Sequence, residues 1–205
     1  MGAPRFREKA AAVVIFWIMA AATYFIIPKI IFFRPDMMPF VRLDYVIPFW
    51  SWTVLIYLTL YAQVSLIFLT VKDRVILNHL FWAYMISGLI LAGFYFLIPT
   101  THNYPPSVSH CSNSLDRAAV WLRHTDIAAN QFPSGHALFS LLGPFFLLSA
   151  GRYKKGIPFL LWGILITIST LTVKQHNVVD VVAGAFFAIA FGYLFGMSCP
   201  RTDKL

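Results

Sequence analysis

The residues best suited to chemistry in this chain lie in two short strings, Phe132-Pro133-Ser134-Gly135-His136 and Lys174-Gln175-His176-Asn177-Val178-Val179-Asp180. Each opens an apolar run that predicts a helix. His176 and Asp180, four residues apart, share one helix face within side-chain reach. A carboxylate that accepts the imidazole Nδ1 proton fixes the tautomer and leaves Nε2 free as a nucleophile. It also stabilises the positive charge that develops during attack. Taken alone, the same spacing also reads as a helix-capping pair at a membrane boundary.

The first string supplies what an electrophilic phosphoryl group needs. Pro133 precedes a predicted first turn holding Ser134, Gly135 and His136, so main-chain amides, the positive end of the helix dipole and a hydroxyl converge on an anion site. His136 is placed to protonate a leaving alkoxide as general acid. Alone, this string is also an ordinary serine cap with an interfacial histidine. Residues 137–175 connect the two strings and are long enough for one helix inward and one back, which returns both histidines to one membrane face. The pair therefore points to phosphoester chemistry at a membrane rim. His102, His110, His124, His136 and His176 all fall on that side, but their spacings match no compact metal-ligand pattern, so no metal and no cofactor are expected.

The elements that must position these groups are membrane spans. Residues are 59% hydrophobic and 12% charged, with 20 Phe, 6 Trp and 9 Tyr, more than a soluble domain of this size buries. The expected fold is all-α, a single polytopic domain over residues 1–205 with no appended soluble module. Runs of roughly 20 apolar residues, the length that crosses a hydrocarbon core of about 30 Å, predict six transmembrane helices, at about 10–28, 46–71, 76–98, 134–150, 156–173 and 177–198. The fourth is at the short limit and starts within the active-site rim.

With six crossings, Arg5, Arg7, Lys9, Lys72, Arg74, Arg152, Lys154, Lys155, Arg201 and Lys204 share one side, against Lys29, Arg34, Arg42, Arg117, Arg123 and Lys174 on the other. The excess places both termini in the cytoplasm and the active site at the extracytoplasmic rim. The expected location is a multi-pass one in a bacterial inner (plasma) membrane. The net charge of +8 is explained by topology and membrane lipids, so nucleic acid is not an expected partner. The first apolar run, from Ala10 to Ile27, is longer than the core of a signal peptide and reads as a retained span. Cys111 and Cys199 fall on opposite sides and cannot form an intramolecular disulfide.

The paired strings resemble the second and third motifs of the type-2 phosphatidic acid phosphatase superfamily: Pro-Ser-Gly-His, and Ser-Arg followed by five residues, His, three residues and Asp. Aligned on His176 and Asp180, the third motif puts Ser169 at the family serine and Thr170 where the family has arginine. Lys174 is the cation available in its place. The family's first motif corresponds to Pro99-Thr100-Thr101-His102-Asn103-Tyr104-Pro105-Pro106, which lacks the arginine, and Arg117 or Arg123 would compensate from the loop. The Lys-Gln-His form of the third motif and Ile47-Pro48-Phe49-Trp50 are similar to the branch that includes inositol phosphorylceramide synthases.

The resemblance implies a metal-independent enzyme working through a phosphohistidine. His176 would be the nucleophile, Asp180 its partner and His136 the acid, while Ser134, Gly135 and Lys174 hold phosphoryl oxygens. The substrate would be a phospholipid or isoprenoid phosphate. Attack by water gives a phosphatase and attack by an alcohol gives a head-group transferase of the inositol phosphorylceramide or sphingomyelin synthase kind. Hydrolysis is preferred because water is always present at such a rim. A degenerate, non-catalytic member of the fold is the remaining alternative. Transport is disfavoured, since the span interiors carry no Asp, Glu, Lys or Arg.

Other conspicuous residues have plainer readings. Trp50, Trp52, Trp121, Tyr104 and Tyr153 read as interfacial anchors, and Gln63 as an interhelical hydrogen-bonding group. Gly88, Gly93, Gly184, Gly192 and Gly196 read as close-packing sites, and Arg34–Asp44 as a segment lying along the outer interface.

Overall fold

The computed structural model of the chain describes residues 2–101, 113–125 and 129–199. His102, Tyr104, His110, Cys111, Arg201 and Lys204, and the side chain of His124, lie outside the described residues. Among those described, Cys199 is a free, buried thiol.

Helix α1 (Phe6–Phe25) continues after Ile26 into the short α2 (Ile27–Ile30). A short α3 (Arg42–Val46) follows, then a 3-10 turn at Ser51–Thr53 that leads into α4 (Val54–Leu58) and α5 (Leu60–Thr70). Next come α6 (Arg74–Leu97), α7 (Ser114–Thr125), α8 (Gly135–Ser149), α9 (Tyr153–Thr172) and α10 (Val178–Met197). Among the described residues, five helical stretches are long and apolar enough to cross a membrane: Phe6–Ile30, Ser51–Thr70, Arg74–Leu97, Tyr153–Thr172 and Val178–Met197. Helix α8 is apolar but has 15 residues, a length of about 22 Å against a hydrocarbon core of about 30 Å. The chain is thus a multi-pass, predominantly α-helical membrane protein. Trp50, Trp52, Trp121 and Tyr153 are exposed near helix ends.

One departure from an all-α chain is a parallel pair of two-residue strands, β1 (Asp36–Met37) and β2 (Thr100–Thr101). Asp36 N donates to Pro99 O (2.9 Å) and Met38 N to Thr101 O (2.7 Å). Thr100 also binds the segment before α8, accepting from Phe132 N at its hydroxyl (2.9 Å). The segment Arg34–Asp44, expected along the interface, is therefore sewn to the loops around the first string.

The most extensive helix contact is between α8 and α10. It is close because α10 presents glycine: a Cβ at Gly184 would collide with the Ser134 carbonyl, one at Gly192 with Phe145 and one at Gly196 with Ser149. Without a hydrophobic driving force between helices in lipid, this near approach of backbones is what lets dispersion contacts hold them together. Gly88 likewise admits Met19 of α1, whereas Gly93 faces open space and is not a packing site.

Helix α8 carries Pro144 in its interior, which removes the amide that would bond Ser140 O. Gln63 Nε2 from α5 donates to that carbonyl (3.1 Å) and to Phe159 O of α9 (2.9 Å). Fully buried Gln63 thus ties α5, α8 and α9 at a point where the proline leaves an acceptor open. Helix α1 joins the bundle through Phe16, whose ring lies 4.9 Å from Tyr84 and 5.1 Å from Phe139. Its Val14, Ile15 and Ile18 are exposed, as expected of a surface facing lipid.

At the end of the bundle remote from the two strings, Lys9 donates to Leu69 O (3.0 Å) and Lys155 to Thr70 O, and Arg74 pairs with Glu8 at 2.6 Å.

Gly184→Val is expected to force α8 and α10 apart, lowering stability by about 1–3 kcal/mol and reducing turnover with it. Gly93→Ala has room for its methyl and should leave the melting midpoint unchanged or slightly raised. Thermal unfolding of both variants in detergent checks the pair.

Candidate active site

The two strings meet at one end of the bundle through a single main-chain bond, from Ser134 N to Asp180 O at 3.0 Å. Helix α8 starts at this contact. The Ser134 hydroxyl caps it by accepting from Ala137 N (3.3 Å), so this buried side chain is a structural cap. Tyr95 of α6 braces the same turn by donating to Pro133 O at 2.9 Å. Helix α10 starts with a reciprocal cap, in which Asn177 Oδ1 accepts from Asp180 N (2.9 Å) and Asp180 Oδ2 from Asn177 N (3.2 Å).

These starts bring the histidines together: His136 Nδ1 lies 3.3 Å from His176 Nε2. His176 Nδ1 lies 3.4 Å from Asp180 Oδ2, with Asp180 fully buried. Neither His176 Nδ1 nor Asp180 Oδ1 has a hydrogen-bond partner among the described residues. The couple is at ion-pair distance without an aligned hydrogen bond. On its other side the His136 ring is stacked by Tyr57 of α4, with centroids 4.4 Å apart and planes at 30°.

The second string reaches this geometry through a sharp reversal after α9. Thr170 O accepts from both Gln175 N (3.0 Å) and His176 N (3.3 Å), and Lys174 has φ 60°, a left-handed conformation that helix ends usually give to glycine. The lysine is explained by where its side chain goes. Nζ donates to Asp44 O (2.8 Å) and Ile47 O (2.6 Å) at α3. Burial pushes its pKa below the ordinary lysine value, the Asp44 charge opposes this, and Arg123 adds to it by like-charge repulsion.

Asp44 completes the clamp. Its carboxylate accepts from Val178 N at the first residue of α10 (2.7 Å) and from Val41 N (2.8 Å). Three acceptors from one short segment, the Asp44 and Ile47 carbonyls and the Asp44 carboxylate, thus hold the turn that carries His176.

Of the residues expected at the site, His136, His176, Asp180 and Gly135 are brought together, the first two and Gly135 lining a cavity of about 550 Å³. Ser134 lies behind it as the α8 cap. Lys174 does not line it, since its ammonium is directed at the α3 carbonyls and away from a phosphate. Arg117 is exposed on α7 and donates to Ser114 of its own helix (3.4 Å), so it is not at the cavity either. Arg123, two turns on, lies within electrostatic reach of Lys174. Thr170, at the expected arginine position, is fully buried and its hydroxyl donates to Thr167 O (2.7 Å).

Sequence reading missed Asp44, Tyr57, Tyr95 and the cavity. The one available signal was scarcity: with 8 acidic residues in 205, a carboxylate between apolar segments deserved a structural role. The cavity walls are mostly apolar and aromatic, including Trp17, Tyr24, Leu60, Tyr61 and Leu91.

A family model described as the PAP2 superfamily matches residues 96–201, more than half of the chain. The chain belongs to the PAP2 superfamily. PAP2 members are phosphatases or phosphotransferases acting on lipid phosphates, and this chain is an enzyme of that class. No curated protein and no solved structure matches it. The PAP2 match begins at Phe96, so Asp44, Tyr57 and the cavity walls from α1, α4 and α5 precede it.

Lys174→Gly tests the clamp by setting two effects against each other. Glycine relieves a left-handed residue, a gain of roughly 1–2 kcal/mol, but removes two charge-assisted hydrogen bonds of about 1.5–3 kcal/mol each. The expected net result is a destabilised protein, by about 1 kcal/mol or more, read as a lower melting midpoint. A raised midpoint would show that the ammonium contributes nothing to the clamp.

Proposed function

We propose that the protein is a metal-independent lipid phosphate phosphatase that works through a phosphohistidine at the extracytoplasmic membrane rim. The observation that carries this reading is the His136–His176 contact of 3.3 Å, backed by Asp180 and opening on an apolar cavity. Its volume falls within the range of small-molecule sites, and its aromatic lining suits a lipid tail.

A phosphoryl group enters between the two facing nitrogens. His176 Nε2 attacks phosphorus, the phosphorus–oxygen ester bond breaks, and the proton on His136 Nδ1 passes to the departing oxygen, giving a free alcohol and a phosphoimidazole. Asp180 stabilises the imidazolium at Nδ1. In the second step His136, now a base, takes a proton from water as its oxygen attacks phosphorus. The phosphorus–nitrogen bond breaks and inorganic phosphate leaves. The Gly135 and His136 amides, which lie in the first turn of α8 ahead of the capped Ala137, bind the non-bridging oxygens. Arg123, on the helix whose Trp121 and Leu122 line the cavity, supplies positive charge.

Orientation rests on charge. Lys155 at the remote end of the bundle is within electrostatic reach of Lys72, Lys9 and Arg152, and such a basic cluster favours the cytoplasm. Six crossings with both termini inside follow if α8 counts as a span. Its shortness fits a helix that begins within a polar rim, with no need to reach the full width of the bilayer.

The test follows phosphorus by mass spectrometry, with purified protein in detergent and EDTA and a panel of phospholipids and lipid phosphates, with and without inositol or diacylglycerol. Free phosphate is expected, falling by at least about a thousandfold in His176→Ala and by about a hundredfold in Asp180→Asn. Acid-labile, base-stable label should be trapped on the wild-type chain. Unchanged turnover in His176→Ala would remove the nucleophile from this scheme, and a new head-group lipid would replace hydrolysis by transfer.

A further inference from the structure

The substrate itself creates a mechanical problem at this site. Binding a phosphoryl group between His136 Nδ1 and His176 Nε2 breaks their mutual contact, which is the hydrogen bond that orients the His136 ring. A ring torsion of this kind is broad and nearly two-fold, so it does not hold the plane by itself. Proton delivery to a departing oxygen nevertheless depends on that plane, because misplacement by about 1 Å can cost about a hundredfold in rate.

What remains after the contact opens is the stack with Tyr57. This ring is buried, 5% exposed, and sits face to face with His136 at 4.4 Å. Its helix is fastened to α9, the helix that ends in the His176 turn. Trp50 N donates to Thr172 O (3.0 Å), the Thr53 and Thr172 hydroxyls are 2.7 Å apart, and Trp162 Nε1 donates to the Thr59 hydroxyl (2.8 Å). Tyr57 therefore moves with the nucleophile's frame and presents a fixed plane to the acid, which is carried on a different helix.

We propose that Tyr57 is a positioning residue, which holds the His136 ring in its proton-donating orientation while substrate separates the two histidines. This rests on the acid role given to His136 above. The residue acts through its ring face, and in the first step, before His136 turns base, it matters only where the leaving oxygen needs a proton.

The experiment follows the first step alone, as the single-turnover rate of alcohol release by the whole chain in detergent, for two phosphate monoesters: dodecyl phosphate, whose alkoxide must be protonated, and para-nitrophenyl phosphate, whose phenolate leaves unaided. Tyr57→Leu is expected to lower the saturating rate on dodecyl phosphate by about 10- to 100-fold, with the half-saturating concentration changed by no more than about twofold and the para-nitrophenol rate reduced by no more than about threefold. Tyr57→Phe, which restores the ring face without the hydroxyl, should recover at least about half of the lost activity.

Tyr57→Met repeats the aliphatic replacement with a flexible side chain that refills the space. Equal losses on both esters in Leu and Met variants would mean a structural role and overturn the proposal. So would a Phe variant as impaired as Leu, since the hydroxyl would then be the active feature. His136→Ala, run alongside, separates the two levels. If it shows no preference between esters, the acid role itself falls; if it does and Tyr57→Leu does not, only the positioning role falls.

Discussion

The near contact of α8 and α10 is the constraint on which the site depends. One amide–carbonyl bond, Ser134 N to Asp180 O, joins the two helix starts, and Gly184 lets the Ser134 carbonyl lie where a side chain would otherwise stand. Both histidines take their positions from these starts, His136 in the first turn of one helix and His176 just before the first turn of the other. Any side chain inserted at the crossing would separate Nδ1 from Nε2 directly, because no flexible segment lies between the contact and the rings. Close packing and catalytic geometry are here the same interaction.

Around that crossing, polar groups do what apolar packing in lipid cannot. Helix contacts in a bilayer gain nothing from expelling water, so direction comes from hydrogen bonds and from satisfied backbone groups. Pro144 opens a carbonyl in α8 and Gln63 closes it from α5. Lys174 and Asp44 act as a second such device at the mouth of the site. The lysine reaches from the His176 turn to α3 and the carboxylate reaches back to the first amide of α10. Each charge is buried, yet each has partners, which is the condition under which buried charge is tolerated. Where the family has a guanidinium at position 170, this chain has a turn held from outside, with Arg123 of α7 within electrostatic reach of Lys174.

The sequence was most legible where the physics is local. Apolar runs placed the long helices, because a span's length and composition are properties of one segment. The four-residue spacing of His176 and Asp180 put the two side by side, although His176 lies before the cap Asn177 and so off the helix they were expected to share, and Ser134 caps α8 as its plainer reading had it. What could not be read were contacts across more than a hundred residues. Lys174 to Asp44 spans 130 positions and Thr53 to Thr172 spans 119. Lysine at 174 looked like a phosphate cation because its distance from His176 in sequence is short. The left-handed turn sends its side chain to the opposite side, and a left-handed lysine leaves no mark in composition or periodicity. Gly93 and Gly184 are likewise indistinguishable as letters, although one faces open space and the other faces a carbonyl.

The site also divides its labour between the two halves of the chain. The histidines, Asp180 and the helix starts lie within the PAP2 match, whereas Tyr57, Asp44 and the aromatic walls contributed by α1, α4 and α5 lie before it. The matched half thus places the two facing histidines, and the earlier half shapes much of the cavity of about 550 Å³ and braces the turn that holds His176. Helix α1 is the most lightly packed of the long helices and much of its surface faces outward, yet Trp17 and Tyr24 line the cavity. A wall with few buried contacts is the one that can move at least cost. Of the cavity's walls α1 is therefore the one that yields most readily, while the closely packed α8–α10 pair stays in place.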